Sequence, residues 1–283
     1  MKALVIGAQG QLGQDLMRVL GGDAVGVSHQ DVDVTDGVGV LQLLQTHRPD
    51  CVINTAAFHR VDDCEANVGL TFAVNATGAL NVARASRSIG ARHVFFSTDY
   101  VFGGGAPRAR GTPRLESEAP QPLSVYGVSK VAGEQLVRQA HPESLVIRSA
   151  GLYGMATSRK GWTFPELMLH LAGTQPVVRV VDDQVLSPTF TSDLADATVR
   201  LMRDDATGLM HVVNDGECSW FEFAAATFDL TGTQARLEPQ TTAQAARRAA
   251  RPPYSAMASE RPAARLRPWR EALGDYLHRT GKR

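Results

Sequence analysis

A tyrosine and a lysine stand four residues apart in "VYGVSK", at Tyr126 and Lys130. On a helix, positions i and i+4 share one face. A free phenol keeps its proton up to a pH of roughly 10. A neighbouring ammonium favours the phenolate and is expected to bring that value down toward working pH. Such a pair can pass a proton to a nascent alkoxide, which a carbonyl requires when it accepts a hydride. Lys130 can also hold ribose hydroxyls. Upstream, "FFSTDYVFGG" places Ser97, Thr98 and Asp99 at the end of an apolar run. The Thr98 hydroxyl can bond both a substrate oxygen and the phenol. Asp99 is a candidate for sugar hydroxyls, or else a turn or cap residue. Tyr100 and Phe102 read as packing residues. Asn75, in "AVNATGALN", reads as bonding backbone between strands or as catalytic.

These side chains need a scaffold, and the chain supplies one from its first residues. "VIGAQGQLG" follows a short apolar run and opens a helical one, with Gly7, Gly10 and Gly13 spaced three apart. Gly7 allows a tight turn, Gly10 lets backbone approach a pyrophosphate, and Gly13 lets the helix pack close. Amides at a helix start favour the anion. The motif therefore predicts dinucleotide binding. The second strand ends at Val27, followed by Ser28, His29 and Gln30. An acid there would hold the ribose hydroxyls and repel a 2′-phosphate. Its absence from these three positions favours NADPH, with NADH tolerated.

Short apolar runs alternate with helical ones: "ALVI", "AVGV", "CVIN", "HVFFS" and "SLVIRS" as strands, with helices between them. That alternation predicts an α/β fold, a Rossmann-type doubly wound parallel sheet covered on both faces. Its ligand belongs at the carboxyl ends of the strands. Residues 1–150 read as the dinucleotide-binding domain. Residues 151–283 read as a smaller α/β substrate-binding lobe, interleaved with the first. Its helices are expected at "TFPELMLHLAG", "SDLADATVRLM" and "SWFEFAAATFDL", and its strands at "PVVRVV" and "GLMHVV". The Ala-, Arg- and Pro-rich segment after Gln240 reads as a solvated surface ending in a helix, or as a contact for an anionic ligand.

Composition excludes several classes. Twenty-nine basic and 29 acidic residues balance, which argues against nucleic acid as a partner. Cys51, Cys64 and Cys218 form no CxxC pair, which suits a reducing, cytoplasmic setting. The histidines form no HxxxH or HExxH pattern, so no catalytic metal is expected. No apolar run reaches membrane-spanning length, so no membrane association is expected.

Taken together these motifs resemble the extended short-chain dehydrogenase/reductases, and within them the dTDP-4-dehydrorhamnose reductase family. The likeness spans nearly the whole chain. It rests on "GAQGQLG", "DVDVTD", "PDCVINTAAFHRVDDCE", "STDYVF", "YGVSK", "DDQVLSPTFTSDLAD", "CSWFEFA" and "RPPYSAM". The resemblance implies an enzyme reducing the C4 ketone of a nucleotide-linked sugar with NAD(P)H. Gly10, Gln11 and Leu12 would meet the cofactor diphosphate, and Asp33 and Val34 would flank adenine. Ala56, Ala57 and Phe58 would line the ribose and nicotinamide path, with Phe96 behind the nicotinamide. Thr98, Asp99 and Tyr126 would meet the sugar, Tyr126 giving the proton and Lys130 holding both Tyr126 and the ribose. A homodimer is allowed.

The family run "RTSWVYG" reads "RSAGLYG" here, so Gly151 stands where a tryptophan faces substrate. Gly151 is expected to leave space at the sugar. Trp162, in "KGWTFPELM", is expected either to swing over the sugar and fill that space or to pack under its loop. Phe58 replaces a common tyrosine or histidine, and "VFGGG" lacks the acid that commonly follows the phenylalanine. Two other readings are a non-catalytic NADP-binding regulator, like the methionine adenosyltransferase beta subunit, and a different nucleotide-sugar ketoreductase or epimerase.

Overall fold

The computed structural model describes residues 1–156 and 161–282. The first half winds strand to helix to strand. β1 (Ala3–Ile6), α1 (Gln11–Leu20), β2 (Ala24–Val27), α2 (Gly37–His47) and β3 (Cys51–Asn54) come first. The chain then runs through α3 (Val61–Ala66), α4 (Val68–Phe72) and α5 (Ala79–Ser88) to β4 (Arg92–Thr98). α6 (Val125–Ala140) leads on to β5 (Leu145–Ser149). The second half contains β6 (Leu152–Tyr153), α7 (Phe164–Thr174), β7 (Val178–Val181), β8 (Val185–Leu186), β9 (Thr189–Phe190) and α8 (Thr191–Arg203). It continues with β10 (Gly208–His211), β11 (Cys218–Ser219), α9 (Trp220–Thr231), β12 (Leu237–Gln240), α10 (Thr242–Ala245) and α11 (Trp269–Arg279).

The main sheet has the order β10-β5-β4-β3-β1-β2 and every pairing in it is parallel. Both faces are covered. Val5, Ile53, Phe96 and Ile147 pack with Leu16 of α1 and Leu194 of α8. Leu4, Ile6 and Val52 pack with Val40 and Leu44 of α2 and Val82 of α5 on the other face. This two-sided burial is why the strands read as unbroken apolar runs. The α/β expectation holds.

One strand lies elsewhere than expected. "GLMHVV" forms β10, which extends the main sheet beside β5 with Met210 opposite Ile147. The reason is α8, whose apolar stripe shares the core of α1 and carries the chain back across the sheet face. β6, β9, α9 and α11 gather around Tyr153, Phe190, Phe223, Leu273 and Tyr276. Thr163 with Glu166 and Ser219 with Glu222 form capping boxes that start α7 and α9. Before α5, residues Ala73–Gly78 wind as one π-helical turn, a local widening often found at working sites.

Strand order reverses between β1 and β3, so the crevice above their carboxyl ends is where a ligand is expected. The glycine turn follows β1, and residues Thr55–Phe58 follow β3. Among the described residues, no helix is long and apolar enough to cross a membrane.

Candidate active site

The glycine turn has the geometry its spacing predicts. Gly7 has φ +84°, and a Cβ there would sit 2.5 Å from Thr55 Oγ1. A Cβ on Gly13 would sit 2.3 Å from the Gly7 carbonyl oxygen. Gly13 thus lets α1 close on the turn itself rather than on a strand. Gly10 caps α1 without a side-chain bond. The first amides of α1, at Gln11, Leu12 and Gly13, have no partner within the helix. This cradle fits a dinucleotide diphosphate. The Leu12 side chain is in the core, so only its backbone can serve. Gln11 Nε2 reaches Ala156 O at 3.3 Å, linking the turn to the loop after β6.

An acid does stand at the end of β2. Asp31 folds back, and its Oδ2 accepts from Ser28 N and Ser28 Oγ, both at 2.7 Å. Those bonds hold its carboxyl below the usual range. Ser28, His29 and Gln30 carry no acid, but the turn returns the next residue, Asp31, to the strand end. Asp33 is exposed and forms an Asx turn on Thr35, with Thr35 N at 2.9 Å. Val34 and Phe96 have buried side chains. Ala56, Ala57 and Phe58 line the half-buried exit from β3.

Asn75, in the π-helical turn, is fully buried. Its Oδ1 accepts from Phe58 N at 2.8 Å, and its Nδ2 donates to Phe58 O at 2.9 Å and Ser129 Oγ at 3.0 Å. It joins the β3 exit to α6, not strand to strand.

α6 begins at Ser124, whose hydroxyl accepts from Gly127 N at 3.2 Å, and Glu65 Oε1 accepts from Val125 N at 2.8 Å. A Cβ on Gly127 would meet Tyr100 O at 2.3 Å, so glycine lets α6 press against the turn after β4. This close approach sets Tyr126 edge-on to Tyr100, ring centres 5.7 Å apart. The Thr98 hydroxyl, at the end of β4, lies beside the Tyr126 phenol. Its Oγ1 donates to Asp99 Oδ1 at 3.1 Å. Asp99 is 4% exposed, and burial pushes its carboxyl up to about 6. Lys130 is 2% exposed, with its ammonium 4.1 Å from the Phe95 ring centre.

The electrostatics differ from the expectation. Burial raises the Tyr126 phenol well above its ordinary value, outweighing the lowering effect of the nearby Thr98 hydroxyl. Burial also brings Lys130 down to about 7, against the pull of Glu134. Desolvation penalises each charged form, and it wins over the mutual attraction that a solvated pair would show.

Beside Tyr100 opens a cleft of about 580 Å³, within the ordinary range of ligand sites. Its apolar side comes from Phe164, Leu167, Met168 and Leu171 on α7 and from Trp220. Arg60, Arg179, Arg247 and Arg251 also line it, against Asp62 and Asp63. Arg251 grips Asp62 at 2.9 Å. The basic segment after Gln240 therefore reaches the site, and its placement beside the "RPPYSAM" motif was the available signal.

Two expectations about the sugar end change. Gly151 leaves no space: a Cβ there would lie 2.6 Å from Leu186 Cδ1, and φ is +52°. Leu186 and Pro188 fill the position. Trp162 packs on His170, ring centres 3.8 Å apart, and neither side chain lines the cleft. Among the described residues, no three His, Cys, Asp or Glu side chains group to hold a metal ion. The three cysteines are buried and free.

A doubly wound sheet with this glycine turn and a Thr98–Tyr126–Lys130 constellation defines an extended short-chain dehydrogenase/reductase. Comparison with known proteins narrows the class. The family model described as the RmlD substrate binding domain matches residues 1–281, and the chain belongs to that family, the dTDP-4-dehydrorhamnose reductases. It is 40% identical over 283 residues to the spore coat polysaccharide biosynthesis protein SpsK of Bacillus subtilis, covering 98% of this chain and 96% of that one. It is 38% identical over 284 residues to the dTDP-4-dehydrorhamnose reductase of Streptomyces griseus, covering 95% and 91%. The crystal structure of the Bacillus anthracis dTDP-4-dehydrorhamnose reductase in complex with NADP superposes with a TM-score of 0.91 at 36% identity, covering 99% and 100%. The chain is an NAD(P)H-dependent oxidoreductase.

Proposed function

We propose that this enzyme reduces the C4 ketone of a nucleotide-linked 4-keto sugar, and that the sugar is dTDP-4-dehydro-L-rhamnose, giving dTDP-L-rhamnose. NADPH is the reductant, with NADH accepted. The observation that carries the reading is the Tyr126 ring set edge-on to Tyr100 at the wall of a cleft lined with four arginines. Guanidinium groups suit a diphosphate, and the Phe164–Trp220 pair offers rings against which a base can lie. Relatives named as dTDP-4-dehydrorhamnose reductases support the choice of sugar.

The glycine turn and the α1 amides would hold the diphosphate, Asp33 and Val34 the adenine side, and Ala56, Ala57 and Phe58 the ribose and nicotinamide path. Phe96 would support that path from the core. The bound cofactor supplies hydride to the carbonyl carbon. Thr98 positions the carbonyl oxygen against Tyr126. The raised proton affinity of Tyr126 keeps it protonated at neutral pH, as a donor must be. The growing alkoxide is a much stronger base and takes that proton. Lys130, in its charged form, would hold the ribose hydroxyls and the phenol. Asp99 would accept from a sugar hydroxyl.

A second reading, another dTDP-linked 4-keto sugar, is favoured by Gly151 in place of the family tryptophan. A relative from Streptomyces niveus, 37% identical, is named dTDP-4-keto-6-deoxy-D-glucose reductase. NADPH oxidation measured with a panel of nucleotide 4-keto sugars tests both. Turnover with dTDP-4-dehydro-L-rhamnose at the highest kcat/KM is expected. Turnover with none of the panel would remove both readings.

A further inference from the structure

Behind Lys130 lies a buried charge cluster that the reaction described above does not use. Glu134 is one helical turn further along α6 and is 2% exposed, as is Arg148 on β5. Glu134 Oε1 accepts from Ser97 Oγ at 2.5 Å and from Arg148 Nε at 2.8 Å. Its Oε2 accepts from Arg148 Nη2 at 2.7 Å. Arg148 Nη1 also lies 3.4 Å from His211 Nε2 on β10. His211 Nδ1 faces the Ala258 carbonyl at 3.0 Å. That leaves Nε2 as the acceptor for Arg148. One carboxylate thereby ties α6 to β4 and β5.

A buried ion pair of this kind is a poor source of stability, because apolar side chains of like volume often serve as well. Its location suggests another role. Ser97 directly precedes Thr98, and Lys130 and Glu134 share a helix face. We propose that Glu134 is a positioning residue that keeps Lys130 charged and holds the Thr98 end of β4 in place against α6. This rests on the ribose-holding role given to Lys130.

The surroundings leave Glu134 as the source of the field. The π-helical turn and α4 carry no charged side chain. Of the other elements packed on α6, α5 bears Arg84 and Arg87, and β4 bears Arg92 and His93 near its opposite end. The turn after β4 bears Asp99 and Tyr100, and α3 bears Asp62, Asp63, Cys64 and Glu65. Glu134, one turn along the same helix face, favours the Lys130 ammonium against burial.

The test is Glu134→Gln, which keeps the shape and removes the charge. Two profiles against pH are read: NADPH Kd by fluorescence, and kcat/KM for the sugar. Without Glu134, Lys130 gives up its proton at lower pH. The alkaline loss of NADPH affinity and of kcat/KM is then expected about one pH unit lower than in the wild type. Glu134→Asp, which retains the charge, should largely restore the wild-type limb. A merely structural role would lower Tm or rate at every pH and leave the limb in place. That result in a folded variant overturns the proposal. Should Glu134→Gln fail to fold, Arg148→Lys carries the test. It loosens the two-pronged grip on the carboxylate, so the limb should move upward instead, and an unmoved limb again overturns the proposal. The NADPH profile requires no sugar, so an error in the substrate assignment would show separately, as absent turnover with intact binding.

Discussion

The Ser255 hydroxyl donates to Asp99 Oδ2 at 2.5 Å, joining residues 156 positions apart at the mouth of the site. The bond fastens the C-terminal segment, which also carries Arg251, to the end of β4. It also opposes the burial that raises Asp99.

Asp99 has a folded-state value of about 6 against an ordinary 3.8. A carboxyl raised in this way contributes stability below the unfolded value, and that contribution is lost as pH rises through about 6. Asp99→Asn removes the cost of burying the charge. It should raise stability at pH 7.5 by on the order of 1–3 kcal/mol and have little effect at pH 4. Thermal unfolding at both pH values checks this. Turnover should fall if Asp99 accepts from the sugar. Equal Tm changes at the two pH values would show that Asp99 is not raised.

Ser28 holds one oxygen of Asp31 at the end of β2, the place where an acid would face the 2′ position of a bound dinucleotide. NADPH is accepted despite this charge. Asp31→Asn should therefore shift the ratio of kcat/KM toward NADPH over NADH by a few-fold. Steady-state kinetics with both cofactors decide it. An unchanged ratio would place the adenosine ribose elsewhere.

Restoring the family tryptophan should fail. Leu186 occupies the position, and the backbone at residue 151 is left-handed. Gly151→Trp is expected to cost about 2–4 kcal/mol through strain and overpacking, without lowering KM. Trp162→Ala, in contrast, should leave KM within about twofold, since the indole rests on His170. A large rise in KM for Trp162→Ala would mean that the loop rearranges over bound sugar.

Tyr126→Phe removes only a hydroxyl and keeps the ring edge-on to Tyr100. NADPH Kd and Tm should be little changed, while kcat falls about 10²–10⁴-fold, the usual contribution of a general acid. A wild-type rate would assign the proton to another group.

The sequence by itself determined what depends on neighbours along the chain. Apolar runs broken by glycine and helix-forming stretches dictate the parallel sheet. Glycines three apart dictate the turn after β1. The Tyr126–Lys130 spacing dictates a shared helix face. Each of these follows from periods of two or 3.6 residues and from local backbone freedom. The tertiary structure decided what depends on distant segments. Asp31 turns back onto Ser28, Leu186 fills the place opened at Gly151, and Arg148 finds Glu134 under the site. β10 joins the main sheet because α8 shares a core with α1. The proton affinities of Tyr126, Asp99 and Lys130 belong to this second group. Their leading cause is desolvation, and the amount of water excluded at each is set by segments brought together from across the chain.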